Sequence, residues 1–490
     1  MPIRALIEKK EAALRWRRTK IIATLGPASD DPITIEKLIR TGVNAFRINM
    51  SHGDHETHRA VVKQVREVSQ LCNQHIAILM DLCGPKIRVG TFEHGEIQLD
   101  DNSDVIVTCR DVIGHDGLIP SQYQRLNHDI ENGERILLDD GNMELKALSV
   151  VGTEIHCQVV HGGILKNNKG MNLPDSSLTT SSFTDKDKRD AKLAIELDAD
   201  FLALSFVRSH EDVLQLKTFI EQHTEANIGI ISKIEKPEAV SNIEAILEHS
   251  YGIMVARGDL GIEIPAERVP LLQQELIQLA REYNRPVIVA TQMLESMITQ
   301  SRPTRAEVGD VANAALSATD AVMLSGETAA GKHPVMAVET MDRVLREIEN
   351  HQWHQNSFGT ITQSTTIHEG IMPIREAVAS ATIDLAQNLK LQGIIIPTRT
   401  GTTARIISAS RPSAPCIGVC SDAIITRQLA LSWGVVPVLV EEPDTHNWRS
   451  LCELINDQVK LTQTGHTVLL VSGFNEDPAL NEPVMKILSI

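Results

Sequence analysis

Eight short, β-branched runs recur through the first two thirds of the chain with longer helical patterns between them. They are KIIAT (20 to 24), VNAFRINM (43 to 50), HIAILMD (75 to 81), FLALSF (201 to 206), IGIISKIE (228 to 235), GIMVAR (252 to 257), PVIVAT (286 to 291) and DAVMLS (320 to 325). Amphipathic stretches such as TIEKLIRTG and VPLLQQELIQLAREYN fill most of the gaps. A strand that must pair in parallel with its successor needs a long crossover, so this alternation predicts a parallel sheet with helices on its faces. Eight such units fit a TIM-type (β/α)8 barrel, in which side chains at the carboxyl ends of the strands carry the chemistry.

Two interruptions set the domain organisation. Residues 86–174 have no helical period but contain EIQLDD, SDVIVTC, ERILLDDGNMELKALSV and TEIHCQVVHGG, which read as antiparallel strands of a small inserted β-barrel domain. It leaves and re-enters at the barrel mouth, where a lid would sit. From residue 350 the polar stretch NHQWHQNSFGTITQSTTIHEG reads as a linker, and beyond it GIIIPTRTG, CIGVC, VVPVLV and HTVLLVSG suggest a third, α/β domain with its own parallel sheet. Residues 1–17, with Glu8 and Glu11 among basic residues and no apolar core, read as an amphipathic helical arm rather than a targeting peptide. The barrel is thus expected over 18–85 and 175–349, and the C-terminal domain over 350–490.

Composition narrows the function classes. At 490 residues, with 42% hydrophobic but only 3% aromatic residues, the chain has enough aliphatic material for several packed cores. A formal charge of −17 argues against nucleic acid as a partner, since counterion release needs a basic surface. Seven scattered cysteines do not make a disulfide framework, which fits a reducing cytoplasm. No apolar run approaches membrane-spanning length.

At the strand ends, polar side chains fall in register. Residues two apart share a face of a strand, so Arg47, Asn49 and Ser51 point one way and Phe46, Ile48 and Met50 the other. The same rule aligns Lys233 with Glu235. Charges inside buried strands are costly unless paired or used, and in a barrel this end is where they are used. Glu235 and Asp259 offer carboxylate oxygens from neighbouring strands, a donor set suited to Mg²⁺, with Mn²⁺ as an alternative. In VARGDLGIEIP the backbone N–H groups of residues 257 to 259 could bind an anion at a helix start, or Asp259 could simply cap that helix. Thr291 ends VIVAT with a hydroxyl able to relay a proton or to cap a turn. GETAAGK (326 to 332) nearly spells a P-loop, but His333 stands where Ser or Thr is needed, and a barrel surrounds it.

TKIIATLGPAS, FRINMSHG, GPKIRVG, NNKGMNLP, LALSF, IISKIE, MVARGDLGIEIP, ATQMLESM, RPTRAEVGDVANA and MLSGETAAGKHP, in that order, resemble the pyruvate kinase family from about residue 18 to 340. The resemblance implies transfer of the phosphoryl group of phosphoenolpyruvate to ADP, giving pyruvate and ATP, with Mg²⁺. It implies that Arg47 holds the phosphoryl group, Lys233 stabilises charge on it and on the enolate oxygen, Glu235 and Asp259 bind the metal, and backbone near Gly258 receives the substrate carboxylate. Thr291 would stand near the carbon that takes a proton. His52, Arg88, Lys186 and Asn49 would face the nucleotide. A homotetramer is also expected from the family.

The chain departs from the family at MDLCGPKIRVG. Many relatives read D-T-K-G-P-E-I-R there and hold K⁺ with Asn, Ser, Asp and Thr. Here Asn49, Ser51 and Asp81 remain, but Leu82 replaces the Thr and Lys86 the Glu. This resembles the K⁺-independent subgroup, with Lys86 as a tethered substitute cation. In the third domain TRTGTTARIISASRP suggests a nest for a phosphorylated effector. The acidic tail VSGFNEDPALNEPVMKIL replaces a Gly, Ser and Thr loop and counts against fructose bisphosphate. A metal-dependent pyruvate lyase on a related barrel, or a catalytically dead metabolite sensor, are the alternatives.

Overall fold

The computed structural model describes residues 14–176, 179–355, 358, 372–441, 447–461 and 466–490. In chain order, β1 (Lys20–Thr24), β2 (Ala45–Asn49) and β3 (Ala77–Asp81) open the barrel. An insert follows with β4 (Glu96–Leu99), β5 (Asp104–Thr108), β6 (Leu118–Pro120), β7 (Arg135–Leu138), β8 (Met143–Val151), β9 (Glu154–His161), β10 (Gly163–Lys166) and β11 (Met171–Asn172). The barrel resumes with β12 (Phe201–Leu204), β13 (Gly229–Ile234), β14 (Gly252–Ala256), β15 (Val287–Ala290) and β16 (Ala321–Leu324). The C-terminal domain contributes β17 (Ile394–Pro397), β18 (Cys416–Cys420), β19 (Val435–Leu439), β20 (Thr467–Ser472) and β21 (Val484–Ser489).

The eight expected runs each contain one barrel strand, and these close in the order β1-β16-β15-β14-β13-β12-β3-β2 with every pairing parallel. Their outward side chains, among them Ile21, Ile48, Ile78 and Val255, pack under the helices. Their inward side chains, among them Ile22, Leu79, Ile231, Met254 and Ile288, fill the barrel, and alanines at 45, 77, 203, 290 and 321 make room for them. Local signals fix the helices. In Pro32–Thr41, Asp31 caps the backbone N–H groups of Ile33 and Thr34, Pro32 is preset for the first turn, and Gly42 ends it at φ 118°.

The insert forms two sheets around one core, β11-β7-β8-β9-β5-β6 and β10-β4. Not every pair is antiparallel as expected: β5 and β6 run parallel, joined by a loop long enough to return the chain to its starting end. The insert departs at Gly84, whose φ is +65° and where a Cβ would lie 2.8 Å from the Phe206 ring, so only glycine fits. Its backbone N–H is anchored on Asp187 Oδ1 at 3.1 Å, in the first turn of the helix Asp185–Glu196.

Two other expectations shift. The helix Pro334–Gln355 continues through the point where a linker was expected, with Gln352 and Glu349 buried. Of the remaining linker only Phe358 is described; it packs edge-on against Trp433 with ring centroids 5.1 Å apart. The expected helical arm lies outside the described residues except for 14–17, which are not helical. The C-terminal sheet runs β19-β18-β17-β20-β21, parallel but for β21, an antiparallel edge strand with mostly exposed side chains. This domain seats itself under the barrel. Leu431 joins the barrel's interior cluster, and Trp433 donates its backbone N–H to Asp320, the residue before β16, at 3.0 Å. Among the described residues no helix is long and apolar enough to cross a membrane.

Candidate active site

At the carboxyl ends of the strands Arg47, Asp81, Lys233 and Glu235 form one buried network. β2 and β3 pair so that Asn49 stands opposite Asp81, and Arg47, two residues earlier on the same face, reaches Asp81 Oδ2 with both Nε and Nη2 at 2.7 Å. Arg47 Nη1 also approaches Thr24 Oγ1 of β1 at 3.3 Å. From β13, Lys233 Nζ lies 3.0 Å from Glu235 Oε1, 3.4 Å from Asp81 Oδ1 and 2.8 Å from Ser205 Oγ. The side chains of Asp81 and Glu235 are 1% exposed and those of Arg47 and Lys233 12%.

Electrostatics follow from this geometry. Burial alone would push the Asp81 carboxyl up, but Lys233 and Arg47 outweigh it and hold the group below its ordinary range. Burial would pull the Lys233 ammonium down, yet Asp81 and Glu235 raise it, so it stays charged. Glu235 is pushed up, first by burial and further by the charge of Asp259, against the opposing pull of Lys233. Its Oε2 accepts the Phe206 backbone N–H at 2.7 Å, and Phe206 adopts a left-handed φ of 55° to deliver it. Two hard carboxylates that repel each other beside one lysine fit a divalent cation better than a closed protein pair.

β14 ends at Ala256, and the helix Arg257–Glu263 begins at once, so Asp259 sits in its first turn and is not its N-cap. The Gly258 N–H, expected to be open to a carboxylate, donates to Thr291 Oγ1 at 2.8 Å, and that hydroxyl in turn donates to the Ala290 carbonyl at 2.6 Å. A Cβ at 258 would come within 3.3 Å of Thr291 Oγ1, so glycine permits this approach. Thr291 holds φ at 67° and Gln292 at 53°, costly for a β-branched residue and typical of functional sites. Arg257 braces the turn, donating to the Thr291 carbonyl at 2.7 Å and pairing with Asp310 at 2.6 Å.

The residues expected on the nucleotide side are more dispersed. Lys186 binds the Met50 carbonyl at 2.6 Å and Asp190 at 2.5 Å, below the exposed His52. Arg88 donates to the Asn168 carbonyl at 3.0 Å at the neck of the insert. Asn49 Oδ1 accepts the Ser51 N–H at 3.1 Å, Ser51 is exposed, and Leu82 is buried. Lys86 is exposed and forms no ion pair among the described residues; it lines a narrow cleft with Asn172 of the insert and with Arg208, Lys236 and Asp259 of the barrel. Across that cleft Asn172 donates to Glu263 at 3.0 Å, and Glu263 pairs with Lys236 at 2.8 Å, both buried.

Sequence reasoning missed Thr24, Ser205, Arg257 and the Lys236–Glu263 pair. Ser205 in LALSF and Glu263 in GIEIP lie inside the quoted motifs, but each directly follows a strand or ends a short helix, where alternation no longer says which way a side chain points.

A family profile described as pyruvate kinase, barrel domain, matches residues 16–338, and one described as pyruvate kinase, alpha/beta domain, matches 376–488. The chain belongs to the pyruvate kinase family. A pyruvate kinase of Bacillus licheniformis is 45% identical over 421 residues, covering 86% of this chain and 71% of the relative. Pyruvate kinase 2 of Synechocystis is 40% identical, covering 96% and 79%. Among solved structures, a pyruvate kinase from Cryptosporidium parvum superposes with a TM-score of 0.87 at 33% identity, covering 96% of each chain. In pyruvate kinase terms, the network at Arg47, Lys233, Glu235 and Asp259 occupies the carboxyl-end face on which the barrel's chemistry is built.

Proposed function

We propose that the chain transfers the phosphoryl group of phosphoenolpyruvate to ADP through the network at the barrel mouth, and that it does so without K⁺. The observation carrying this reading is the pair of buried cations, Arg47 and Lys233, fixed on opposite oxygens of Asp81 beside the Glu235 and Asp259 carboxylates. Phosphoryl transfer needs positive charge and positioning around a spreading negative charge rather than a covalent nucleophile. Arg47, held by Asp81, presents guanidinium N–H groups to the phosphoryl oxygens. Lys233, kept protonated by its acidic neighbours, stabilises the oxygen left behind as the enolate forms. The enolate then takes a proton at carbon, and Thr291 stands beside that position; to deliver a proton its hydroxyl must turn from the Ala290 carbonyl. Glu235 and Asp259 would hold Mg²⁺ or Mn²⁺, which when bound supplies further positive charge to the substrate oxygens.

His52, Arg88 and Lys186 lie towards the nucleotide, and the insert closes over it to exclude water. Independence from K⁺ is supported by the remnants of that site: Asp81 is engaged by Arg47 and Lys233, Asn49 by Ser51, and Leu82 offers no oxygen. Lys86 reaches into the same cleft as Asp259 and supplies the missing positive field. In the C-terminal domain, Gly401 at φ 80° and the hydroxyls of Thr400 and Thr402, 2.9 Å apart, form the nest proposed for a phosphorylated effector. Arg405 beside it pairs with Glu476 of the acidic tail at 3.2 Å, an internal carboxylate that disfavours a bisphosphate. A cytoplasmic homotetramer completes the reading. The test couples pyruvate formation to lactate dehydrogenase with phosphoenolpyruvate, ADP and Mg²⁺ in tetramethylammonium buffer. Full turnover without K⁺ is expected; an absolute K⁺ requirement overturns the cation assignment, and no turnover under any salt overturns the site.

A further inference from the structure

The turn that follows β15 carries two successive non-glycine residues in the left-handed region, Thr291 at φ 67° and Gln292 at φ 53°. Such a pair, one of them β-branched, persists only where its surroundings over-determine it. One side chain does most of this. Nη2 of Arg257 lies 2.7 Å from the Thr291 carbonyl, 3.3 Å from the Gln292 carbonyl and 2.9 Å from Met293 Sδ, so three consecutive residues wrap a single guanidinium nitrogen. Nη1 of the same group is anchored at 2.6 Å on Asp310 Oδ1, from the helix Arg305–Leu316, and the Arg257 side chain is buried. Gly258, the next residue, donates its N–H to the Thr291 hydroxyl, and Asp259 follows. A single segment, 257 to 259, therefore grips the backbone of the turn, grips its hydroxyl and supplies one carboxylate of the candidate metal pair.

With φ clamped and the carbonyl held, rotation about the Cα–Cβ bond is the one movement left to Thr291. That rotation carries the hydroxyl away from the Ala290 carbonyl without displacing the turn. An unbraced turn would relax towards negative φ and take the oxygen elsewhere. We propose that Arg257 is a positioning residue for the proton step: through the Thr291 carbonyl it holds the hydroxyl at the face of the enolate, and Asp310 holds Arg257 in place. The inference rests on the reading in which Thr291 stands beside the carbon that takes the proton. In that step the π pair of the enolate forms the new C–H bond and the C–O bond becomes the ketone carbonyl. The threonine oxygen that gives up its proton regains one from water. Among the described residues, the hydrogen bonds of the Arg257 guanidinium go to the turn and to Asp310. Its loss should therefore slow protonation and leave substrate and metal binding nearly as they were.

The test follows exchange of the pyruvate methyl protons with D₂O by proton NMR, with Mg²⁺ and ATP present. Steady-state turnover of phosphoenolpyruvate and Mn²⁺ affinity by electron paramagnetic resonance are measured alongside. Arg257→Met should slow exchange by about tenfold to a hundredfold while KM for phosphoenolpyruvate and Mn²⁺ affinity stay within about twofold of the parent. Asp310→Asn, which keeps the guanidinium but loosens its anchor, should slow exchange severalfold with the same split. Thr291→Val is the reference and should abolish exchange on the enzyme. Loss of exchange in Thr291→Val with parent-like exchange in both Arg257→Met and Asp310→Asn overturns the role of Arg257 and leaves that of Thr291 standing. Exchange intact in Thr291→Val overturns the underlying reading and the inference with it. A rise in KM or a loss of Mn²⁺ affinity as large as the loss of exchange shows a merely structural brace and overturns the inference too. Should Arg257→Met fail to fold, Asp310→Asn decides it alone.

Discussion

Replacing Lys233 with Met removes a charge of central position but nearly conserves the volume of the side chain. In the parent protein its ammonium lies 3.0 Å from Glu235, 3.4 Å from Asp81 and 2.8 Å from Ser205. Asp81 keeps Arg47 at 2.7 Å after the substitution, whereas Glu235 keeps only the Phe206 N–H. Breaking a buried pair from one side costs roughly 3–5 kcal/mol of stability, here at the lower end because one carboxylate retains its cation. The catalytic loss is separate: one electrostatic donor removed from a transition state costs on the order of 10² to 10³ in kcat. Metal binding should move the other way, because Lys233 competes for the Glu235 carboxylate. The coupled assay gives kcat, electron paramagnetic resonance of Mn²⁺ gives metal affinity, and urea unfolding gives stability. Turnover within a few fold of the parent would refute the role of Lys233. A loss of Mn²⁺ affinity as large as the loss of kcat would show instead that the site had collapsed.

Lys86→Glu should impose a K⁺ requirement, seen as activity rising at least several fold when tetramethylammonium is exchanged for K⁺; equal activity in both salts would count against the tethered-cation role. Lys20, buried and donating to the Val435 carbonyl at 2.6 Å, has its pKa pulled down to about 7 by burial and then by Arg17 and Arg18. Its unfolded value is near 10.4, so between these the unfolded chain binds more protons and stability should rise with pH. Lys20→Met should flatten the climb in urea midpoint between pH 7 and 9; an unchanged slope would show that other groups set it.

What the sequence discloses and what it hides divide along physical lines. The barrel strands are legible because strands buried on both faces read as aliphatic runs, and Arg47 and Lys233 stand out as charges that such runs tolerate only at a working end. The edge strand β21 is not legible, since with one neighbour and exposed side chains it has no strong alternation. The segment NHQWHQ reads as a linker because it is mostly polar, yet it extends a helix in which Gln352 is buried, and burial of a polar residue is not legible from local sequence. Gly258 was legible as a close-approach position but not its partner, because the Thr291 hydroxyl that meets its N–H comes from the next strand's turn. The pairing of Lys236 with Glu263 and Asn172 joins three separate elements, and no local spacing encodes it.

Leu431, contributed from below to the barrel's interior, means that the catalytic barrel is not a free-standing module. A chain ending after Gln355 would open the floor of that cluster to water, forfeiting roughly 1.5–3 kcal/mol for the leucine alone. It would also strip Arg427 from Asp200 and Arg411 from Asp320, leaving two buried carboxylates short of a partner. The barrel and the C-terminal domain should therefore melt as one cooperative unit in calorimetry, and two resolved transitions would contradict this. The domain that reads as an accessory is, mechanically, the barrel's bottom plug.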